Sequence, residues 1–258
     1  MTICKICESD TNIIFTSKIL KKYSVNYYKC NKCHFIQTED PYWIEEAYNN
    51  PITKQDIGLL SRNNYYTRLL CVLIKFLFNQ EKTFLDYGGG YGIFVRLMRD
   101  KGFDFYRYDT YCDNIFADGF DHNNIKEYEI LTSFEVFEHL KNPIQEIELM
   151  LKKSKNIFFS TEIQPKIIVN EKDWWYFMPW TGQHISFYSI ESLKFIAKKY
   201  EMNFYTNGKT FHLFTKIKIN RILFQLLTKE KVINLITLLS KPKKSLLNKD
   251  YQFLIKEI

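Results

Sequence analysis

Glycine and proline are scarce in this chain, 9 and 6 among 258 residues, which argues against long disordered linkers built from them. Long apolar runs are missing too. The richest stretch, 69–78, is interrupted by Lys75 and falls short of the roughly 18 residues a spanning helix needs. Residues 1–10 carry two cysteines and several charges where a secretory signal would have an apolar centre. The expectation is a cytoplasmic protein whose 6 cysteines are reduced or metal-bound. What the chain has in plenty is apolar: 22 Phe, 18 Tyr and a 46% apolar fraction against 25% charged. That suits one α/β domain of about 150–200 residues with small appendages.

The net charge of +7 is unevenly spread. Between Lys216 and Lys249 nine Lys/Arg face a single acid, Glu230, and everything else sums to −1. A near-neutral main body argues against nucleic acid as the partner. In the basic tail Ile222, Leu223, Leu226 and Leu227 alternate with lysines. This pattern fits a packed or dimer-forming helix and leaves membrane-surface contact open. Monomer and dimer both remain open.

Four segments are predicted: a metal module at 1–40, a polar linker at 41–63, a catalytic domain at 64–216 and a basic helical extension at 217–258. In the third, helix 63–79 leads into strand 82–87, a glycine turn, helix 93–101 ended by Gly102, strand 103–108 and strand 128–134. Helix 143–152 and strand 156–161 continue the alternation, which implies a parallel, doubly wound sheet. Ser189 reads as the N-cap of helix 190–200, and Asn207-Gly208 as the turn of a terminal antiparallel hairpin.

Cys4-x2-Cys7 and Cys30-x2-Cys33 are two knuckles with 22 residues between them. Four thiolates on two tight turns can close a tetrahedron around Zn2+. A forty-residue piece buries too little core to fold alone, so the metal would supply its folding energy. Four cysteine ligands leave no open coordination position, which makes the expected zinc structural.

In Asp86-Tyr-Gly88-Gly-Gly90-Tyr-Gly92 a strand enters a glycine loop that opens a helix. Glycines there let the backbone take positive φ and approach a ligand closely. The dinucleotide pattern would need a third Gly or Ala at Ile93 or Val95, so a nicotinamide cofactor is disfavoured. The Asp-x-Gly-x-Gly-x-Gly run, together with Glu135-Val-Phe-Glu138-His139 after a later strand, resembles class I S-adenosylmethionine-dependent methyltransferases. The likeness covers roughly 64–216, and the N-terminal module resembles a zinc-ribbon subgroup acting on sugars and capsular polysaccharide. It implies a Rossmann-like, doubly wound, seven-stranded sheet. It also implies that Asp86, Gly88, Gly90 and Gly92 meet the amino acid end of S-adenosylmethionine, and that Asp118 lies at the adenine edge. Asp109 would bind both ribose hydroxyls, and Phe134 and Glu135 at the strand end would touch the cofactor.

Residues 173–188 are dense in aromatics. Each one alone reads as packing. Together Trp175, Tyr176, Trp180, Gln183 and Tyr188 suit an acceptor wall that stacks on sugar faces, and the segment resembles one in polysaccharide-associated methyltransferases. His184 is the candidate general base and His139 the second, because an imidazole can take a hydroxyl proton at neutral pH. Carbon-methylating sugar members often have Glu-His where this chain has Gln183-His184, which favours O-methylation. The expected function is O-methylation of a sugar or phosphorylated precursor in capsule or lipopolysaccharide synthesis. C-methylation of a nucleotide-linked ketosugar, rRNA base methylation and a non-catalytic binding subunit are the alternatives.

Overall fold

The structure, a computed structural model, describes residues 2–49, 56–123 and 125–256. Residues 50–55 of the expected linker lie outside the described residues. The elements run β1 (Thr11–Ile19), β2 (Tyr23–Cys30), β3 (Ile36–Thr38), α1 (Ile44–Ala47) and α2 (Leu59–Leu77). Then come β4 (Thr83–Tyr87), α3 (Ile93–Asp100), β5 (Asp104–Tyr108), β6 (Ile130–Ser133), α4 (Pro143–Lys153) and β7 (Asn156–Ser160). The chain continues through β8 (Ser186–Phe187), α5 (Ile190–Lys199), β9 (Asn203–Thr206), β10 (Phe211–Thr215), α6 (Arg221–Leu227), α7 (Glu230–Leu239) and α8 (Leu247–Ile255).

Two sheets result, ordered β1-β2-β3-β8 and β5-β4-β6-β7-β10-β9. The second is the Rossmann-like α/β sheet that the alternation predicts. It has six strands among the described residues, not seven. The segment after β5 forms only a parallel bridge between Arg107 and Asp121, closed by Arg107 N–H to Phe120 O and His122 N–H to Arg107 O. The physical reason lies in residues 109–122, where Asp, Asn and Gly satisfy their own turn amides in place of a ladder.

The chain divides into two compact units. One comprises Lys54–Ser133, Met150–Phe158 and Ile217–Ile258. Here β4 pairs in parallel with β5 on one side and β6 on the other, so the carboxyl end of β4 is a topological switch point, where open α/β sheets bind ligands. Helix α3 buries Phe94, Val95 and Met98. Arg99, on the same helix, is buried against Asp250 of α8 in a two-pronged ion pair, 2.8 and 2.7 Å, and its guanidinium lies 3.8 Å from the Phe120 ring centre.

The other unit comprises Met1–Thr53, Phe134–Leu149 and Phe159–Lys216. Its core gathers Ile19, Val25, Tyr27, Ile36 and Trp43 with Trp174, Phe177, Ile185 and Phe187. Much of the aromatic segment is therefore interior. Strand β8 pairs Ile36 with Phe187 and Gln37 with Ser186, which extends the N-terminal sheet by a strand from about 150 residues downstream. Ser189 caps α5 as expected, accepting from Ser192 N–H while Ser192 Oγ accepts from Ser189 N–H. The β9–β10 hairpin is antiparallel. Among the described residues no helix is long and apolar enough to cross a membrane.

Candidate active site

The glycine turn follows β4 directly. Gly88 and Gly89 donate to Tyr108 O at 2.8 and 3.2 Å, which folds the turn back over the end of β5. Gly92 has φ +85°, and a Cβ there would sit 2.5 Å from Asn114 Oδ1. No other residue type fits that position without displacing the 114–117 turn. Asp86 is buried, accepts from Thr132 Oγ1 at 2.7 Å and has its carboxyl pushed up to about 7. Burial is the main cause; the Thr132 hydrogen bond pulls the other way and the nearby Asp109 adds to the rise. A buried acid so perturbed marks a candidate functional group at the end of β4.

Asp109 organises the rest of the turn. Its Oδ2 accepts from Gly90 N–H at 2.9 Å, and its Oδ1 from Tyr111 and Cys112 N–H at 2.8 and 2.9 Å. Oδ1 thereby fills both its acceptor sites, and Oδ2 keeps one for a further donor. Asp118 is exposed, its carboxylate accepting from Gly119 N–H. Ile115 and Phe116 donate their N–H groups to Tyr91 O, and their side chains are exposed.

In the other unit, Phe134 and Glu135 follow β6. Glu135 holds φ +54°, its N–H donates to Ser160 Oγ at 2.8 Å, and Ser160 Oγ–H donates to its carboxylate at 2.7 Å. Next come Glu138 and His139, in a short helical turn tied to the 183–188 segment by four hydrogen bonds. Ile185 N–H donates to Glu138 O, His139 Nδ1–H to Gln183 O, Ser186 Oγ–H to Leu140 O and Tyr188 Oη–H to Phe137 O.

His184 donates Nδ1–H to Tyr176 O at 2.7 Å, which fixes its tautomer and leaves the Nε2 lone pair unused. The His139 and His184 rings meet edge to face at 4.9 Å. Burial lowers His184 to about 3 and His139 to about 4, so both are uncharged at neutral pH. Glu138, part of the Glu-Val-Phe-Glu-His run, is 0% exposed, and burial followed by the charge of Glu135 raises its carboxyl well above the usual range.

Of the expected acceptor residues, Trp175 is 64% and Trp180 50% exposed, while Tyr176, Gln183 and Tyr188 are buried. Gln183 Nε2–H donates to Ala47 O at 2.9 Å. Ring contacts lead inward from Trp175 to Tyr176 at 5.3 Å and on to His184 at 4.7 Å.

The four knuckle cysteines lie together, their sulfurs all within 4.8 Å of one another. Cys4 and Cys33 are 3.6 Å apart and Cys7 and Cys30 3.4 Å, near the roughly 3.8 Å edge of a tetrahedron with Zn–S bonds of about 2.3 Å. Ile6, Lys32 and Cys33 N–H groups point at the Cys4 and Cys30 sulfurs. Glu8 and His34, each just past the second cysteine of its knuckle, take positive φ and close the turns. The donor set and its geometry fit a closed zinc site.

A family profile described as "Methyltransferase domain" matches residues 62–205. No curated protein matches the chain. Among solved structures, the chain is similar to CalO1, a methyltransferase in calicheamicin biosynthesis in its SAH-bound form. That match has 11% identity and a TM-score of 0.46, and covers 69% of this chain. It spans 60% of CalO1, less than two thirds of that protein's length. The plantazolicin methyltransferase BpumL, in complex with a monoazolic desmethylPZN analog and SAH, is similar at 12% identity and TM-score 0.44, with coverages of 77% and 84%. Magnesium protoporphyrin IX methyltransferase from Synechocystis PCC 6803 with bound SAM is similar at 10% identity and TM-score 0.38, with coverages of 69% and 90%.

Proposed function

The chain belongs to the methyltransferase-domain family, and on that premise we propose that it moves the methyl group of S-adenosylmethionine onto a hydroxyl of a sugar or phosphorylated sugar precursor. The observation that carries the acceptor side is the aromatic path from exposed Trp175 through Tyr176 to His184, whose tautomer is fixed by a backbone carbonyl. Aromatic faces suit the apolar faces of sugar rings, and a fixed Nε2 lone pair suits their hydroxyls.

On the cofactor side Asp86 would hold the methionine ammonium, with Gly88, Gly90 and Gly92 allowing backbone approach. Asp109 would bind the ribose diol, Asp118 would lie at the adenine edge, and Phe134 and Glu135 would complete the contacts. When bound, S-adenosylmethionine supplies an electrophilic methyl on a good leaving group. The chain's own residues must align the acceptor oxygen and receive its proton. His184 does the latter. A hydroxyl becomes strongly acidic as its oxygen gains a methyl, so a weakly basic imidazole suffices. Trp175 and Trp180 stack on the acceptor, Tyr176, Gln183 and Tyr188 form the wall behind them, and His139 buttresses His184. Capsule or lipopolysaccharide synthesis is the setting that supplies such acceptors. Zinc on Cys4, Cys7, Cys30 and Cys33 holds the N-terminal sheet together, and a reducing cytoplasm keeps those thiols available to it.

Two outcomes are expected on the cofactor side. Replacing Asp109 with Ala removes the charge-assisted hydrogen bond that Oδ2 can still accept from the diol, worth about 1.5–3 kcal/mol, and the acceptor of three turn amides, so S-adenosylmethionine affinity should fall at least tenfold by calorimetry. Asp86, with its carboxyl near 7, is protonated below that pH. A raised carboxyl favours the folded, ligand-free protein in acid, and this benefit fades as pH rises from the ordinary Asp range through about 7. Binding of an ammonium requires the anion. Affinity should therefore drop by up to tenfold per pH unit below about 7, with proton release on binding. A pH-independent affinity would remove Asp86 from the ammonium site.

The function itself is tested by transfer of a labelled methyl to nucleotide-sugars and capsule intermediates. The product should be a methyl ether. Carbon-bound label, or label found only in RNA, would overturn the assignment.

A further inference from the structure

Glu138, His139 and His184 present three lone-pair donors to one another in the interior of one unit, their ligand atoms all within 4.8 Å. Each imidazole spends its Nδ1–H on a backbone carbonyl, His139 on Gln183 at 3.1 Å and His184 on Tyr176 at 2.7 Å. That leaves two Nε2 lone pairs without a proton between them. His139 Nε2 lies 3.9 Å from Glu138 Oε1, and neither Glu138 oxygen has a partner at hydrogen-bond geometry among the described residues, although the side chain is wholly buried. The Tyr176 and Thr161 hydroxyls approach it more loosely and offset only part of the burial. A poorly partnered carboxyl in the interior costs several kcal/mol. Native proteins tolerate one where it serves a ligand.

We infer that Glu138, His139 and His184 bind a first-row divalent cation, a second metal site distinct from the four cysteines. Carbonyls that orient imidazoles through Nδ1 are the usual outer layer of a metal centre. Two imidazoles and a carboxylate form a donor set suited to Zn2+, Fe2+, Mn2+ or Co2+ and leave coordination positions open. Ligand atoms at about 2.1 Å from a metal lie no more than about 4.2 Å apart. The 3.9 Å pair already satisfies this, and the widest pair needs only a small contraction. The backbone carrying the donors is already braced, since Ile185 N–H is bonded to Glu138 O and Ser186 Oγ–H to Leu140 O. The Glu135 carboxylate adds negative charge to the same surroundings.

Only the consequence of such a site rests on the acceptor assignment: with the cation bound, the His184 Nε2 lone pair is held by the metal, and the cation would acidify the acceptor hydroxyl in place of the proton acceptance that His184 supplies in the metal-free site. Binding is independent of it. Co2+ added to the zinc-loaded full chain should bind one equivalent, with the weak d–d bands of a nitrogen and oxygen site and no thiolate charge-transfer bands. Glu138→Gln, which keeps the shape of the side chain, and His184→Gln should each weaken that binding at least tenfold. Both should retain ribbon zinc and S-adenosylmethionine affinity, which shows them folded. Absence of the bands, thiolate bands only, or undiminished binding in both variants overturns the site. Methyl transfer is not read in this test, so a wrong acceptor would leave the metal-binding result unchanged.

Discussion

His184→Ala should lower methyl transfer at least a hundredfold while leaving the affinity for S-adenosylmethionine unchanged. Positioned proton acceptors contribute about 100- to 10,000-fold, and this one is set with unusual care: Nδ1–H anchored at 2.7 Å, the ring edge-on to His139 and packed against Tyr176. Alanine removes the lone pair and leaves Tyr176 O without its donor, so part of any loss will be structural. His184→Gln separates the two. It can refill much of the space but offers no comparable base, and its turnover should stay within a few-fold of the alanine variant. If both variants turn over at the parent rate, His184 has no part in the chemistry.

Cys30→Ser has the second large effect, and it should spread from the metal to the chemistry. Replacing one ligand opens the site, and structural zinc contributes on the order of 10 kcal/mol of folding energy in small modules. Zinc at the four-cysteine site should fall from one per chain to near zero, and amide protection in β1, β2 and β3 should collapse. The damage travels by named contacts. Strand β3 carries β8 on its edge, Gln164 Nε2–H donates to His34 O at 2.7 Å, and Ser189 Oγ–H donates to Cys33 O at 2.6 Å. Losing these frees the segment that holds His184 and weakens the cap of α5. Turnover should fall with zinc content, and removal of zinc by a chelator should reproduce the loss. A zinc-free protein with full activity and protected strands would show that the knuckles fold without metal.

Much of this was legible in the sequence because the signals were local. A strand followed by Asp86 and spaced glycines, a serine before a helical pattern and Asn-Gly between two strands each act within a few residues. The two Cys-x2-Cys pairs carried their own geometry. What the sequence hid was long-range. Nothing around Ser186 marks it as the partner of Gln37, since a two-residue strand has no periodicity to read. Nothing local marks Glu138 as wholly buried, since a motif gives residue types and not their depth. The seventh strand was expected from resemblance, and the polar turn chemistry of 109–122 reduced it to a bridge. The aromatic segment shows a further limit of composition, which cannot separate Trp175, which faces water, from Trp174, which is core.

The ion pair between Arg99 and Asp250 has a consequence for how the molecule is made. The two partners are 151 residues apart in the chain; until α8 is made, Arg99 has only the nearby Asp104 as counter-charge and lacks the two-pronged pair that accompanies its burial. Helix α3 thus reaches its final packing only once α8 has docked on it. The glycine turn that opens α3 therefore waits for a segment as distant as α8 before its supporting helix is fully fixed.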